Sequence, residues 1–204
     1  MKLIYGTHNP GKFKGMVKAV EGLNIELKSL ESLGTTLEEA TESGGDPLSN
    51  AVEKATHYYK QIQMPVFSCD SGLYFEEVAD WEQPGVLIRR VCGKRLDDDQ
   101  MVSYYAGLAR KYGGKLTAYY QNAICLVLNQ EKLVLSDSED IRSEKFYIVD
   151  TPHAKVEAGF PLNRLSVHIK TGQYYNDLAS DLRDEDPIDK GFYNFFKSVS
   201  LSEF

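Results

Sequence analysis

Met64-Pro65-Val66-Phe67-Ser68-Cys69-Asp70-Ser71-Gly72-Leu73 is the stretch on which the reading of this chain turns. Residues of strand type run from a proline into a lone carboxylate, and the Ser-Gly pair after it predicts a turn. A carboxylate just past a buried strand is held still, with backbone donors of the turn close by, and such a place suits a metal ion or an attacking water. The plainer reading is an aspartate that only caps its own Asp-Ser-Gly turn. The chain before it decides between them.

Lys2 to Tyr5 reads as a short buried strand, and Gly6-Thr7-His8-Asn9-Pro10-Gly11-Lys12 as a loop leading into a helix. Asn9 is a good N-cap and Pro10 a good first helical residue. Phe13, Met16, Val17 and Val20 recur at helical spacing, with Lys12, Lys14 and Lys18 elsewhere on the wheel, and Gly22 ends the helix. A strand-loop-helix unit of this kind presents free backbone N–H groups and a positive dipole end, which favour phosphate, and Lys12 adds a full charge. An ordinary connection with a solvated lysine fits the same residues. Gly6, Gly11 and Lys12 also satisfy most of a Walker A loop, although Phe13 stands where Ser or Thr should ligate magnesium and Pro10 removes an N–H from the cradle. Val66 to Asp70 then passes for a Walker B strand, so a P-loop-like NTPase or kinase remains the alternative.

Ile25 to Leu30 alternates like a strand, and a polar acidic stretch with Glu38, Glu39, Glu42 and the Gly44-Gly45 pair follows. Asp46-Pro47 repeats the cap-and-proline device ahead of an amphipathic helix whose buried side is Leu48, Ala51, Val52, Ala55, Tyr59 and Ile62. Asn50 and Lys54, four apart, share a different face and can reach one ligand together. Beyond the expected Asp70 turn, Leu73 to Val78 reads as a second strand, Trp81 to Gly85 as a loop and Val86 to Val91 as a short segment. Asp97-Asp98-Asp99 suggests a metal cluster, but dipole-favoured acids opening the helix of Met101, Val102, Tyr105 and Leu108 are the simpler account. Thr117 to Leu128 is a long strand that Lys132 to Leu135 pairs across residues 129–131. Phe146 to Val149 and Leu165 to Ile169 are expected strands, and Tyr174 to Leu182 and Ile188 to Val199 expected helices.

At 204 residues, 42% hydrophobic and 26% charged, the chain is long enough for a real core and fits a single domain over 1–204. Its formal net charge of −7 gives no overall footprint for nucleic acid or an anionic membrane surface. Cys69, Cys92 and Cys125 lie too far apart for a disulfide framework or a CxxC site, and no two of His8, His57, His153 and His168 are spaced for zinc. With no apolar leader or spanning run, a soluble cytoplasmic protein is expected.

Thr7-His8-Asn9-Pro10-Gly11-Lys12, Glu42-Ser43-Gly44, Asn50-Ala51-Val52-Glu53-Lys54-Ala55, Cys69-Asp70-Ser71-Gly72-Leu73 and Pro84-Gly85-Val86 together resemble the inosine triphosphate pyrophosphatase family. Its pattern is T-x-N-x-x-K, E-[ST]-G, E-N-A-x-x-K-A, D-D-S-G-L and P-G-V, matched here over roughly residues 1 to 130. The resemblance implies an elongated, two-lobed α/β fold with a long mixed central sheet, flanking helices and a substrate cleft between lobes, usually as a homodimer. It implies magnesium-dependent hydrolysis of a non-standard purine nucleoside triphosphate to monophosphate and pyrophosphate. By the same resemblance Lys12 and Lys54 hold phosphates, and Thr7 and Asn9 line the phosphate loop. Glu42 and Asp70 bind Mg2+, Asp70 also orients or deprotonates the water, and Asn50, Ser71 and Gly72 contact substrate. Two departures stand out. Cys69 replaces a carboxylate next to Asp70. Of the pattern G-F-G-Y-D-P only Gly159-Phe160 survives, and the base-reading S-H-R-G is met only by Ile188-Asp189-Lys190-Gly191, leaving Phe160 and Lys190 as the candidates there. A nucleotide-binding protein without turnover is the remaining alternative.

Overall fold

The protein is described by a computed structural model over residues 1–41, 43–157, 159–178 and 187–201. β1 (Lys2–Tyr5), α1 (Pro10–Ala19), β2 (Glu26–Ser29), α2 (Pro47–Ile62) and β3 (Val66–Phe75) follow in that order. β1 pairs in parallel with both neighbours, Tyr5 lying opposite Ser29 on one side and Phe67 on the other. Parallel crossovers are right-handed, so one that runs from β1 to β2 through α1 and one that returns from β2 past β1 to β3 through α2 place their helices on opposite faces of the sheet. The cores agree with this. Met16 and Ala19 of α1 pack with Leu3, Tyr5, Phe67 and Cys69, whereas Ala51, Ala55 and Tyr58 of α2 pack with Ile4 and Val66. The winding therefore reverses between β1 and β3, the position at which open parallel sheets leave a crevice beyond the strand C-termini.

β4 (Arg90–Val91) and β5 (Lys94–Arg95) form a small antiparallel ribbon ahead of α3 (Asp98–Lys111). β6 (Lys115–Val127), β7 (Leu133–Ser136), β8 (Phe146–Val149), β9 (Ser166–His168) and α4 (Pro187–Leu201) complete the described elements. Among the described residues the main sheet has the order β2-β1-β3-β6-β8-β9, with β7 also on β6. β6 meets β7, and β8 meets β6 and β9, in antiparallel register, so the sheet is mixed.

The chain forms two compact units, one of Met1–Ser71, Gln121–Arg142 and Pro187–Phe204, the other of Gly72–Tyr120 and Ser143–Asp186. In the first, α4 adds Phe192, Phe195, Phe196 and Val199 to the core on the α1 face, Phe196 standing edge-on to Phe67 at 4.9 Å. In the second, α3 supplies Met101, Val102, Tyr105 and Leu108 to a core shared with Leu116, Phe146 and Ile148. Asp97 caps α3 in a reciprocal box with Gln100, so the acidic run serves the helix start.

The structure corrects several expectations. The chain does not turn at Asp70-Ser71-Gly72, because β3 runs unbroken from Val66 to Phe75. Leu73 exchanges backbone hydrogen bonds of 2.9 and 3.1 Å with Gly85, and this partner keeps the strand extended past the glycine. A Cβ at Gly72 would lie 2.8 Å from the Tyr74 ring, whose far end would have to swing aside. Instead of a helix from Tyr174 there is a short 3-10 turn, Tyr175–Asp177, with Leu178 already extended. The Tyr174 hydroxyl donates to the Thr151 carbonyl at 2.7 Å and ties the segment down before a helix can start. The rest of that expected helix, residues 179–182, lies outside the described residues.

Candidate active site

The loop after β1 approaches β3 so closely that only glycine fits at position 6, where a Cβ would meet Ser68 Oγ at 2.4 Å and Tyr58 Cδ2 at 2.8 Å. The Asn9 carboxamide oxygen then accepts from the Gly11 and Lys12 backbone N–H groups at 2.9 and 3.2 Å, and Thr7 Oγ1 accepts from the Asn9 N–H at 3.2 Å. This revises the expectation of free N–H groups for phosphate. Pro10 has none to give and the next two are already capped, so the loop offers the Lys12 ammonium and the helix dipole instead.

Asp70 is buried on the α2 side of β3. Its Oδ1 accepts from Lys54 Nζ and its Oδ2 from Asn50 Nδ2, each at 2.9 Å. The Asn50 oxygen is itself occupied by the Gly44 N–H at 2.9 Å, which fixes which end of the amide faces Asp70. The i, i+4 spacing read from the sequence thus delivers Asn50 and Lys54 to one carboxylate. Along the same helix the Glu53 carboxylate accepts from both the N–H and the hydroxyl of Ser43, at 2.9 and 2.7 Å, and these bonds hold its carboxyl below the usual range.

Strand alternation sends Cys69 the other way, into the core beside Tyr5. Burial pushes its thiol up to about 12; the Asp70 charge adds to this, while Lys12, the hydrogen bond with Tyr5 and Lys54 oppose it. At neutral pH it is therefore a protonated thiol rather than a metal-binding thiolate. Lys12 and Lys54 both lower the pKa of this one thiol, so both cations are felt at the same point of β3.

Sequence reasoning missed Asn122. It is a buried polar residue at the head of an apolar run in β6, and that break in pattern was the available signal. Its Nδ2 donates to the Ile141 carbonyl at 2.6 Å, and its Oδ1 accepts from the Ser71 hydroxyl at 2.7 Å. Since a carbonyl only accepts, the amide orientation is set, and the Ser71 proton points away from Asp70's neighbourhood toward β6. Asn122→Ala leaves the Ile141 carbonyl without its donor in a dry place. The expected loss is about 2 kcal/mol, read from a urea melt.

Four candidates remain. Gly72 and Phe160 belong to the second unit, Phe160 half-buried just before the 3-10 turn Pro161–Arg164. Lys190 is exposed on α4, next to Asp189, which lies 3.9 Å from Lys18. Glu42 lies outside the described residues. Among the described residues no three His, Cys, Asp or Glu side chains converge as a metal cage. Asp70 alone suits magnesium, which takes one or two protein carboxylates and fills its shell with water and substrate phosphate; it does not suit a closed structural site.

The sequence profile of the Ham1 family matches residues 3–140, a span that holds every residue gathered around Asp70 and stops short of Phe160 and Lys190. The chain belongs to the Ham1 family. A relative named dITP/XTP pyrophosphatase from Bacillus subtilis (strain 168) is 28% identical over 186 residues, covering 89% of this chain and 88% of the relative. One of the same name from Christiangramia forsetii is 30% identical over 128 residues, covering 63% and 65%. A Ham1 protein from Coxiella burnetii superposes over 100% of both chains with a TM-score of 0.74 at 18% identity. The Staphylococcus aureus Ham1 protein does so with a TM-score of 0.71 at 16% identity. These structures bear out the mixed α/β fold.

Proposed function

We propose that this chain hydrolyses a non-standard purine nucleoside triphosphate to the monophosphate and pyrophosphate with magnesium. The observation that carries the reading is the constellation of Asn50 and Lys54 of α2 on the buried Asp70 of β3, beside the strand where the winding reverses. Similarity to relatives named dITP/XTP pyrophosphatase supports it.

In this reading the triphosphate lies over the C-terminal end of β1, near the start of α1. Lys12 and Lys54 screen its charge, and Thr7, Asn9, Asn50 and Ser71 line its path. Asp70 orients a water toward the α-phosphorus and takes its proton. As the water oxygen bonds to phosphorus, the bond to the bridging oxygen breaks and pyrophosphate leaves with that electron pair. Asp70 and Glu42 would hold magnesium, which would supply charge neutralisation on the phosphates. Asn50 and Lys54 keep the Asp70 carboxylate oriented before substrate arrives, so that little reorganisation is left for the reaction itself. Gly72 is proposed as a substrate contact beside Ser71, and Phe160 and Lys190 each as a contact to the base, since the departures from the resembled pattern at those positions point to an altered base preference. The net charge of −7 supports a protein with no nucleic-acid or membrane partner. Among the described residues no helix is long and apolar enough to cross a membrane. We place the enzyme in the cytoplasm, as a homodimer.

The deciding experiment incubates the protein and magnesium with standard, deaminated and oxidised nucleoside triphosphates and separates pyrophosphate from orthophosphate. Pyrophosphate from one or a few of them is the expected product. Lys12→Ala is expected to raise KM about tenfold, as loss of one phosphate-binding cation does. Orthophosphate as the product would overturn the reading in favour of a P-loop-like reaction.

A further inference from the structure

We propose that Glu53 is a positioning residue, whose carboxylate pins Ser43 and Gly44 to α2 and through them holds the Asn50 amide on Asp70. The chain of contacts is continuous. Glu53 accepts from the Ser43 N–H at 2.9 Å and from its hydroxyl at 2.7 Å. The next residue, Gly44, donates its N–H to Asn50 Oδ1 at 2.9 Å, and Asn50 Nδ2 donates to Asp70 Oδ2 at 2.9 Å. An amide has one acceptor end and one donor end, so the Gly44 N–H decides which of them meets the carboxylate. Were the amide free to rotate, half its orientations would set a carbonyl oxygen against Asp70.

The fit at Gly44 is close. A Cβ there would stand 2.7 Å from Asn50 Oδ1 and 2.7 Å from Ser49 Cβ, so the backbone must come this near for the N–H to reach. Two glycines, Gly44 and Gly45, make the segment costly to order, and a carboxylate receiving two hydrogen bonds from one residue is a strong tether for it. The sequence shows a matching substitution. In the pattern E-N-A-x-x-K-A the glutamate falls on position 49, where this chain has Ser49, engaged instead with Asp46 at 2.7 and 2.9 Å. The acid appears at Glu53, one turn along the same helix face.

The kinetic arm of the test rests on the proposed pyrophosphatase reading, and the exchange arm does not. In the full chain, Glu53→Ala is expected to speed amide hydrogen exchange at Ser43 and Gly44 at least about tenfold and to shift the Asn50 side-chain NH2 resonances. Lys60→Ala, on the same helix and exposed, leaves both unchanged. Glu53→Ala is expected to lower kcat for pyrophosphate release about tenfold with KM within about twofold, since misorientation of the reacting carboxylate affects the chemical step. Glu53→Gln, which keeps one acceptor oxygen, recovers part of the loss. In an Asn50→Ala background Glu53→Ala has no further effect on kcat, because the tether acts through that amide. Unchanged exchange at Gly44 overturns the tether. Faster exchange with unchanged kcat, or losses that add in the double variant, overturn its positioning role. If the wild type releases no pyrophosphate at all, the functional reading fails while the exchange arm still decides the tether.

Discussion

Asp70→Asn is expected to cut pyrophosphate release by about 10³-fold at saturating substrate while the chain remains folded. The substitution keeps the shape and removes the charge. Lys54 then faces a neutral oxygen, and no group on β3 at this point can take a proton from water. The Asn50 amide cannot turn to help, because the Gly44 N–H holds its oxygen. Two NH2 groups are left facing each other across the former 2.9 Å hydrogen bond, or one of the two amides gives up its partner. A stability loss of about 1–2 kcal/mol follows. The measurement is a pair of curves, a pyrophosphate time course and a thermal melt on the same sample. A variant that keeps a tenth or more of the activity would remove Asp70 from the chemistry.

Gly191→Ala is the second large effect, and it concerns stability. The added Cβ would lie 2.0 Å from the Asp140 carbonyl oxygen and 2.6 Å from its carbon, both backbone atoms that no side-chain rotation can move. α4 must then lift away from the 3-10 turn Glu139–Ile141, loosening Phe192 and Phe196 in the core they share with Ile141. Overpacking of this kind costs about 3 kcal/mol, which for a chain of this size lowers Tm by roughly 6–12 °C. Gly107→Ala in α3, with nothing within 4 Å of the added carbon, is the control and is expected to raise Tm slightly. A Gly191→Ala melt within about 2 °C of wild type would show that the helix sits further off than described. The resemblance set Gly191 inside a base-reading pattern, and the packing supplies a separate reason for glycine there.

Local chemistry was legible in the sequence because it acts over a few residues. Asn9-Pro10 and Asp46-Pro47 announced their helices, the i, i+4 pair Asn50 and Lys54 announced a shared face, and the run from Val66 announced a buried strand. Together with five short blocks in order, they determined the fold class and most of the cluster around Asp70. What lay beyond their reach depends on partners distant in the chain. Leu73 stays extended because Gly85 pairs with it, so an expected turn became the middle of a strand. Asn122 earns a buried place only because Ile141 and Ser71 come to its two ends, and Glu53 looks like any solvated acid until Ser43 is laid against it. The sequence by itself determined the capped helices α1, α2 and α3 and the buried strands β1 and the start of β3 that bring the carboxylate of Asp70 in, since caps and periodicity are local. Only the tertiary structure decided which donors remain for a ligand and which side chains hold that carboxylate in place, because hydrogen-bond partners are chosen by what packing brings within 3 Å.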